Sequence, residues 1–273
     1  MKKRRIEIAV LSNMRLGSLN SQVAPLLAYL SSISPRILVL NGQILDGEPT
    51  QSPQFPEEDL RVLKKIYQMG TSGTKIYCIH GRPYPALIQL RERSRGNFSF
   101  SRDLILDLDG KRAWFTHGDF LSSPLVKAKW ANQLSDGLYA ALAKLTASMR
   151  VFWKKQSPPG GNSELLEESS AERQMATRTQ EGEAAAKLAL RKACEFVICG
   201  KPQESDRLWV ENNKGPCQYL CAGDWTQNLT ALEYNFKRWK TYRYTEDKRA
   251  PFFADAGLKE MNLAALLAKN RIA

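Results

Sequence analysis

Short apolar runs alternate with amphipathic segments in the first third of the chain. The apolar runs lie at 6–11, 36–40 and 75–79, and apolar residues recur with helical spacing at 24–30 and 57–68. Short apolar runs are typical of buried strands, and a 3.6-residue spacing is typical of helices with one buried face. The strand–helix alternation predicts an α/β fold with a mainly parallel sheet covered by helices.

The pattern in the second half of the chain favours antiparallel pairing. Asp109-Gly110-Lys111 lies between apolar runs at 98–108 and 113–116, which is typical of a β-hairpin. Four tryptophans, Trp114, Trp209, Trp225 and Trp239, are predicted to pack within the core or against a sheet. Further short strands are predicted at 195–199, 207–210, 217–221, 229–234 and 239–244.

Between these regions the chain changes character. Residues 124–156 alternate Trp, Leu and Phe with Lys and Arg, which predicts basic amphipathic helices, and a Pro- and Gly-rich segment at 157–163 ends them. We interpret 120–190 as a helical lid or insertion in a domain covering 1–250. Residues 251–273 are predicted to form a C-terminal helical tail.

Composition restricts the location and the partners. No apolar run among the 273 residues approaches the roughly 18 needed to span a bilayer. The five cysteines contain no CxxC pair, which fits a reducing compartment. We therefore expect a cytoplasmic protein, with a peripheral position on the inner face of the membrane as an alternative.

The net charge of +12 favours phosphorylated ligands, anionic lipid or nucleic acid as partners. No RNA-recognition motif is present, so specific nucleic-acid binding is not expected.

Polar loops containing glycine follow the predicted strands. Gly42, Gly81, Gly118 and Gly200 occupy comparable places in four of them. The carboxyl ends of neighbouring parallel strands meet at one edge of a sheet, so these loops are expected to form a common site. The loops are 11–17, 40–46, 79–84, 115–119 and 199–203.

In this order the loops resemble those of the calcineurin-like metallophosphoesterases, and most nearly the bacterial UDP-2,3-diacylglucosamine hydrolases of lipid A synthesis. The resemblance spans about residues 6–245. It implies an αββα sandwich, with two mixed sheets flanked by helices, and a substrate-covering lid. It also implies two metal ions, usually manganese, held by Asp-x-His, Gly-Asp, Gly-Asn-His, a mid-chain His and Gly-His-x-His. Such metals activate water and clamp the phosphate.

The residues at the family's ligand positions do not suit that chemistry. Only His117 matches, and Asp46 and Asp119 cannot rebuild two metal sites alone. Arginine has no lone pair for a metal, and several cations would repel a divalent ion. We therefore expect no cofactor and no catalytic residue. The replaced positions are Asn13, Arg15, Gln43, Arg82, Pro83, Lys201 and Gln203.

Two interpretations of the replacements remain open. Arg15, Arg82 and Lys201, together with His117, are predicted to form a metal-free pocket that binds a phosphorylated small molecule or lipid precursor. The alternative is drift at an inactive site, with His117 as a relic. The favoured function is that of a non-hydrolysing binding or regulatory protein. An active phosphoesterase with a rearranged site and a scaffold subunit with a protein partner are the alternatives.

Overall fold

The structure, a computed structural model, describes residues 2–46, 56–80, 94–122, 179–201 and 207–253. The lid is therefore described only at its two ends, and Arg82, Pro83, Gln203 and nearly all of the C-terminal tail lie outside the described residues. The predicted division into domains stays a prediction. Within the described ranges, no helix is long and apolar enough to cross a membrane.

A seven-stranded mixed sheet forms the first layer. Its order is β12-β11-β1-β2-β3-β5-β4, and β1, β2, β3 and β5 are parallel to their neighbours in that group. The outer strands β4, β11 and β12 pair antiparallel. The strands are β1 (Arg4–Leu11), β2 (Ile33–Asn41), β3 (Lys75–Ile79), β4 (Ser94–Arg95), β5 (Phe98–Ser101), β11 (Thr230–Asn235) and β12 (Arg238–Arg243).

A five-stranded mixed sheet forms the second layer, in the order β6-β7-β8-β10-β9. The central strands β7, β8 and β10 are parallel, and β6 and β9 pair antiparallel at the two edges. The strands are β6 (Asp103–Leu108), β7 (Lys111–Thr116), β8 (Phe196–Cys199), β9 (Arg207–Asn212) and β10 (Gly215–Cys221).

Three apolar layers join the sheets and helices. Side chains alternate along a strand, so Ile8 and Val10 of β1 face the second sheet while Ala9 and Leu11 face helices. Helices α1 (Val23–Ser32) and α2 (Glu57–Thr71) cover the first sheet. A helix at 179–191, α3, covers the second sheet. The predicted α/β sandwich of two mixed sheets flanked by helices is confirmed.

Two details differ from the sequence predictions. The apolar run at 98–108 is divided at Arg102, where the chain leaves the first sheet and enters the second. Trp114, Trp225 and Trp239 are buried as predicted, but Trp209 is 62% exposed. The prediction for Trp209 was wrong because β9 is an edge strand, so a residue there has a neighbouring strand on one side only.

Candidate functional site

Loops from both sheets meet at the carboxyl ends of their parallel strands. The loop after β1 pairs with the loop after β2, since Asn13 N donates to Gly42 O at 3.2 Å and Leu16 forms a bridge with Leu45. Gly200 N, after β8, donates to His117 O, after β7, at 3.2 Å. The predicted common site at this edge is therefore formed by the described parts of these loops.

Asn13 cross-links three of the loops. Its side chain is 1% exposed, and Nδ2 donates to Gly200 O at 2.6 Å and to Gly223 O at 3.0 Å. Both protons of the amide are thus used on backbone carbonyls, one from each of two loops. The amide therefore acts as a structural tie at the place where the resembling family has the first aspartate of Asp-x-His.

Ser12 and Asn41 extend this tie between the sheets. Ser12 Oγ donates to Asn41 O at 2.6 Å. Asn41 Nδ2 donates to Thr116 O at 3.1 Å and to Ile198 O at 3.3 Å, both in the second sheet. Neither side chain was predicted to have a role. The available signal was a polar residue at or just after the end of each strand's apolar run, at 8–11 in β1 and at 37–40 in β2.

Two glycines allow the loops to approach this closely. A Cβ added at Gly42 or at Gly200 would overlap with the ring of His117. Gly42 also has φ +79°, a backbone conformation that side chains disfavour. Gly42 and Gly200, two of the four glycines noted in the sequence, are therefore required by contact with His117.

His117 lies at the centre of the site and is 2% exposed. Its Nδ1 lies 3.1 Å from Asn41 O, so Nδ1 is the donor, because a carbonyl only accepts. Its Nε2 lies 3.4 Å from Asp119 Oδ1. Burial lowers the pKa of His117, and Lys201 adds to this, whereas Asp119 and the hydrogen bond to Asn41 oppose it.

Arg15 and Asp46 form an ion pair at the rim. One guanidinium nitrogen of Arg15 lies 3.3 Å from both carboxylate oxygens of Asp46, and each side chain is about one-third exposed. These distances exceed the 2.7–2.9 Å usual for charge-assisted hydrogen bonds. An exposed pair of this kind contributes less than about 1 kcal/mol, so Arg15 can exchange Asp46 for another anion.

Three of the residues predicted to replace metal ligands have left-handed backbones. Asn13, Arg15 and Gln43 have φ values of +52°, +48° and +43°. Asparagine tolerates this left-handed region of backbone conformation. For arginine and glutamine, adopting it costs about 1–2 kcal/mol of conformational free energy. The hydrogen bond from Arg15 N to Gln43 O, at 2.9 Å, holds both residues in place. The loops after β1 and β2 therefore hold two residues, Arg15 and Gln43, in a left-handed backbone conformation at the edge of the site.

Lys201 is anchored next to His117. Its backbone N donates to His117 O at 3.0 Å, and its carbonyl accepts the hydroxyl of Tyr219 at 3.1 Å. Its charge contributes to the lowered pKa of His117. Lys201 therefore brings positive charge to the part of the site that His117 occupies.

Asp224, for which no role was predicted, fixes another loop of the site. It is fully buried, and its Oδ1 accepts the backbone N–H groups of Thr226, Gln227 and Asn228 at 2.7–3.0 Å. Its contacts fix the loop whose Gly223 carbonyl binds Asn13. The carboxylate is therefore used to shape a loop.

Among the described residues, the donor side chains do not fit a two-metal centre. Within the described ranges, no group of three or more His, Cys, Asp and Glu side chains is placed to hold a metal ion. The Asn13 amide is already bonded to two carbonyls, and Asp46 is paired with Arg15. No metal-dependent step can be derived from these residues.

Comparison with known proteins yields similarity of structure only. Neither a known protein family nor a curated protein matches the chain. An archaeal phosphodiesterase is 11% identical with a TM-score of 0.42, over 86% of this chain and 98% of that chain. A dimetal phosphatase from Danio rerio is 10% identical with a TM-score of 0.41, over 86% and 95%. Vps29 of Chaetomium thermophilum is 9% identical with a TM-score of 0.38, over 86% and 94%. At this level of identity, no activity transfers to this chain.

Proposed function

We propose that the protein binds a phosphorylated ligand through a phosphoesterase-like frame and does not hydrolyse it. The main supporting observation is Asn13, whose amide donates to Gly200 O and Gly223 O at 2.6 and 3.0 Å where the resembling family has a metal-binding aspartate. A neutral amide used in this way cannot also neutralise a divalent ion. Without metals, the water-activating step of that family has no source.

Positive charge supports an anionic ligand. Arg15 and Lys201 follow strands β1 and β8, whose loops are joined through Asn13. Arginine binds phosphate through two parallel N–H groups, and lysine adds a point charge. Because the Arg15–Asp46 pair is long and partly exposed, replacing Asp46 by a phosphate group costs little. Arg82, the third predicted cation, lies outside the described residues.

Backbone strain also favours a maintained pocket over drift. Arg15 and Gln43 keep positive φ values, although a site without use would be free to relax to residues that suit this conformation, such as glycine. The resemblance to UDP-2,3-diacylglucosamine hydrolases suggests the ligand class. A phosphorylated sugar nucleotide or lipid A precursor, bound for sensing or regulation, is our preferred candidate.

Calorimetric titration with inorganic pyrophosphate in the presence of EDTA tests this proposal. Binding is expected without metal, and Arg15→Ala should weaken it about tenfold or more, because a hydrogen bond to a charged group contributes about 1.5–3 kcal/mol. Arg36→Ala is the matched control, since Arg36 is exposed near the start of β2, away from the loops. Equal affinity of the two variants would contradict the proposed pocket.

An active phosphoesterase with a rearranged site is the outcome that would replace this proposal. Steady turnover of bis-p-nitrophenyl phosphate with manganese, abolished by His117→Ala and absent with EDTA, would establish it. Under the proposed function, neither the wild type nor this variant turns the substrate over above the buffer rate.

A further inference from the structure

The hairpin of β11 and β12 ends in a turn of unusual composition. Asn235 pairs with Arg238, so Phe236 and Lys237 form the two-residue turn, with φ values of +49° and +59°. Hairpin turns with two positive φ values favour glycine, asparagine or aspartate. A bulky aromatic residue in this conformation is rare.

Packing does not explain Phe236. Its side chain is 80% exposed, so it contributes little to the apolar core. The turn is held by other groups, because Phe236 N donates to Glu7 Oε1 at 3.2 Å and Asn235 Nδ2 donates to Arg5 O at 3.3 Å. A strained conformation that presents an apolar ring to solvent points to a functional role.

Basic residues surround this turn. Lys237 and Arg238 are exposed on the hairpin, and Lys2, Lys3 and Arg5 are exposed at the adjoining end of β1. The nearby carboxylates of Glu7 and Asp109 accept hydrogen bonds, from Phe236 N and from the hydroxyl of Tyr234 at 3.0 Å. An aromatic ring among lysines and arginines is the composition of surfaces that bind the interface of an anionic bilayer.

We propose that this surface, the hairpin tip, binds an anionic lipid bilayer with Phe236 entering the interface. It is defined by Phe236, Lys237 and Arg238 together with Lys2, Lys3 and Arg5. A lipid surface fits better than a nucleic acid, because a single ring on a protruding turn offers no groove for a nucleic-acid backbone. The eight residues of β1 separate this end from Asn13, at about 3.3 Å per residue or roughly 25 Å. The candidate site therefore stays open to solvent when the tip is bound.

Cosedimentation of the full chain with vesicles tests the proposal. Vesicles of phosphatidylcholine alone are compared with vesicles containing one quarter phosphatidylglycerol. Phe236→Ala and Lys237→Glu are the test variants. Leu19→Ala is the apolar control, because Leu19 is fully exposed in the loop after β1, at the opposite end of that strand. Arg102→Glu is the charge control, because Arg102 is exposed at the carboxyl end of β5.

Wild type and both controls should sediment with the anionic vesicles and not with the neutral ones. Phe236→Ala and Lys237→Glu should each reduce the partition coefficient about fivefold or more at low salt. Failure of the wild type to bind anionic vesicles, or equal binding by Phe236→Ala, would overturn the proposal. Binding of polyuridylate that depends on Lys237, without vesicle binding, would also overturn it.

A second substitution of Phe236 distinguishes a role of the ring in membrane binding from a role in the stability of the fold. Asparagine tolerates positive φ, so Phe236→Asn should raise Tm by about 2–3 °C. The same variant should lose anionic-vesicle binding as strongly as Phe236→Ala. A lower Tm for Phe236→Asn would show that the fold needs the ring, and the proposed role would be wrong.

Discussion

Asn13→Asp is the substitution that probes the site most sharply. It preserves size and shape but replaces two N–H donors by an acceptor. The new carboxylate would face Gly200 O and Gly223 O from positions now 2.6 and 3.0 Å away, in a place that is 1% exposed. Gly223 O would lose its Asn13 donor, Gly200 O would keep only the 3.3 Å contact with Ser12 Oγ, and a negative charge would be buried between the two carbonyls.

The size of the effect follows from these contacts. Leaving a buried polar group without a partner costs about 1–3 kcal/mol, so two carbonyls and the repulsion between acceptors give about 3–5 kcal/mol at pH 8. Burial raises the pKa of a carboxyl group, so the folded variant binds its proton more tightly than the unfolded chain. The variant therefore has its full free energy of unfolding below about pH 4, where the carboxyl group is protonated in both states. That free energy falls as pH rises towards the pKa of the carboxyl group in the folded variant.

Urea unfolding at pH 5 and pH 8 measures both effects. Asn20→Asp is the matched control, because Asn20 is exposed, and it should change the free energy of unfolding by less than about 0.5 kcal/mol. Asn13→Ala should lower the free energy of unfolding by about 2 kcal/mol at both pH values. A variant Asn13→Asp as stable as the wild type at pH 8 would refute the cross-link.

Three further predictions concern the same fold. Gly42→Ala should destabilise the protein by more than about 2 kcal/mol in urea unfolding, because its Cβ overlaps His117 and its φ is +79°; wild-type stability would contradict this. Burial lowers the pKa of His117 below its usual 6.5, so below that pH the unfolded chain binds more protons than the folded protein. The free energy of unfolding should therefore decrease as the pH is lowered from 7 to 5. His117→Gln should flatten that slope, and an unchanged slope would assign it to other groups. Burial raises the pKa of Cys217 to about 12 and that of Cys199 well above its usual value, and both side chains are buried, so these two thiols should react with Ellman's reagent at pH 8 only after unfolding; fast reaction of either thiol in the native protein would show that it is accessible.

The strands and helices could be predicted because burial imposes a period on the sequence. The predicted strand at 75–79 coincides with β3, and the Asp109-Gly110 turn joins β6 to β7. The division at Arg102 could not be predicted, since one polar residue in an alternating run gives no local sign that the pairing partner changes. The exposure of Trp209 depends on its strand being at an edge, which is a tertiary property.

The position of the site could be predicted, but its internal contacts could not. Parallel strands bring their carboxyl-end loops together, and the glycines marked the loops. The tie formed by Asn13 and Ser12 uses backbone carbonyls of loops nearly 190 residues away along the chain. No local pattern shows which carbonyl a buried amide will reach. The charges of Arg15 and Lys201 could be read from the sequence, and pairing of Asp46 with one of the cations was expected and is observed for Arg15.

The metal content of the protein after incubation with excess manganese and desalting separates a metal-free binding site from a metal centre. A metal-free site should retain no manganese and should bind pyrophosphate equally well with and without EDTA. Near-stoichiometric manganese that is lost in His117→Ala would contradict it, because the described donors would then hold a metal that their arrangement does not accommodate.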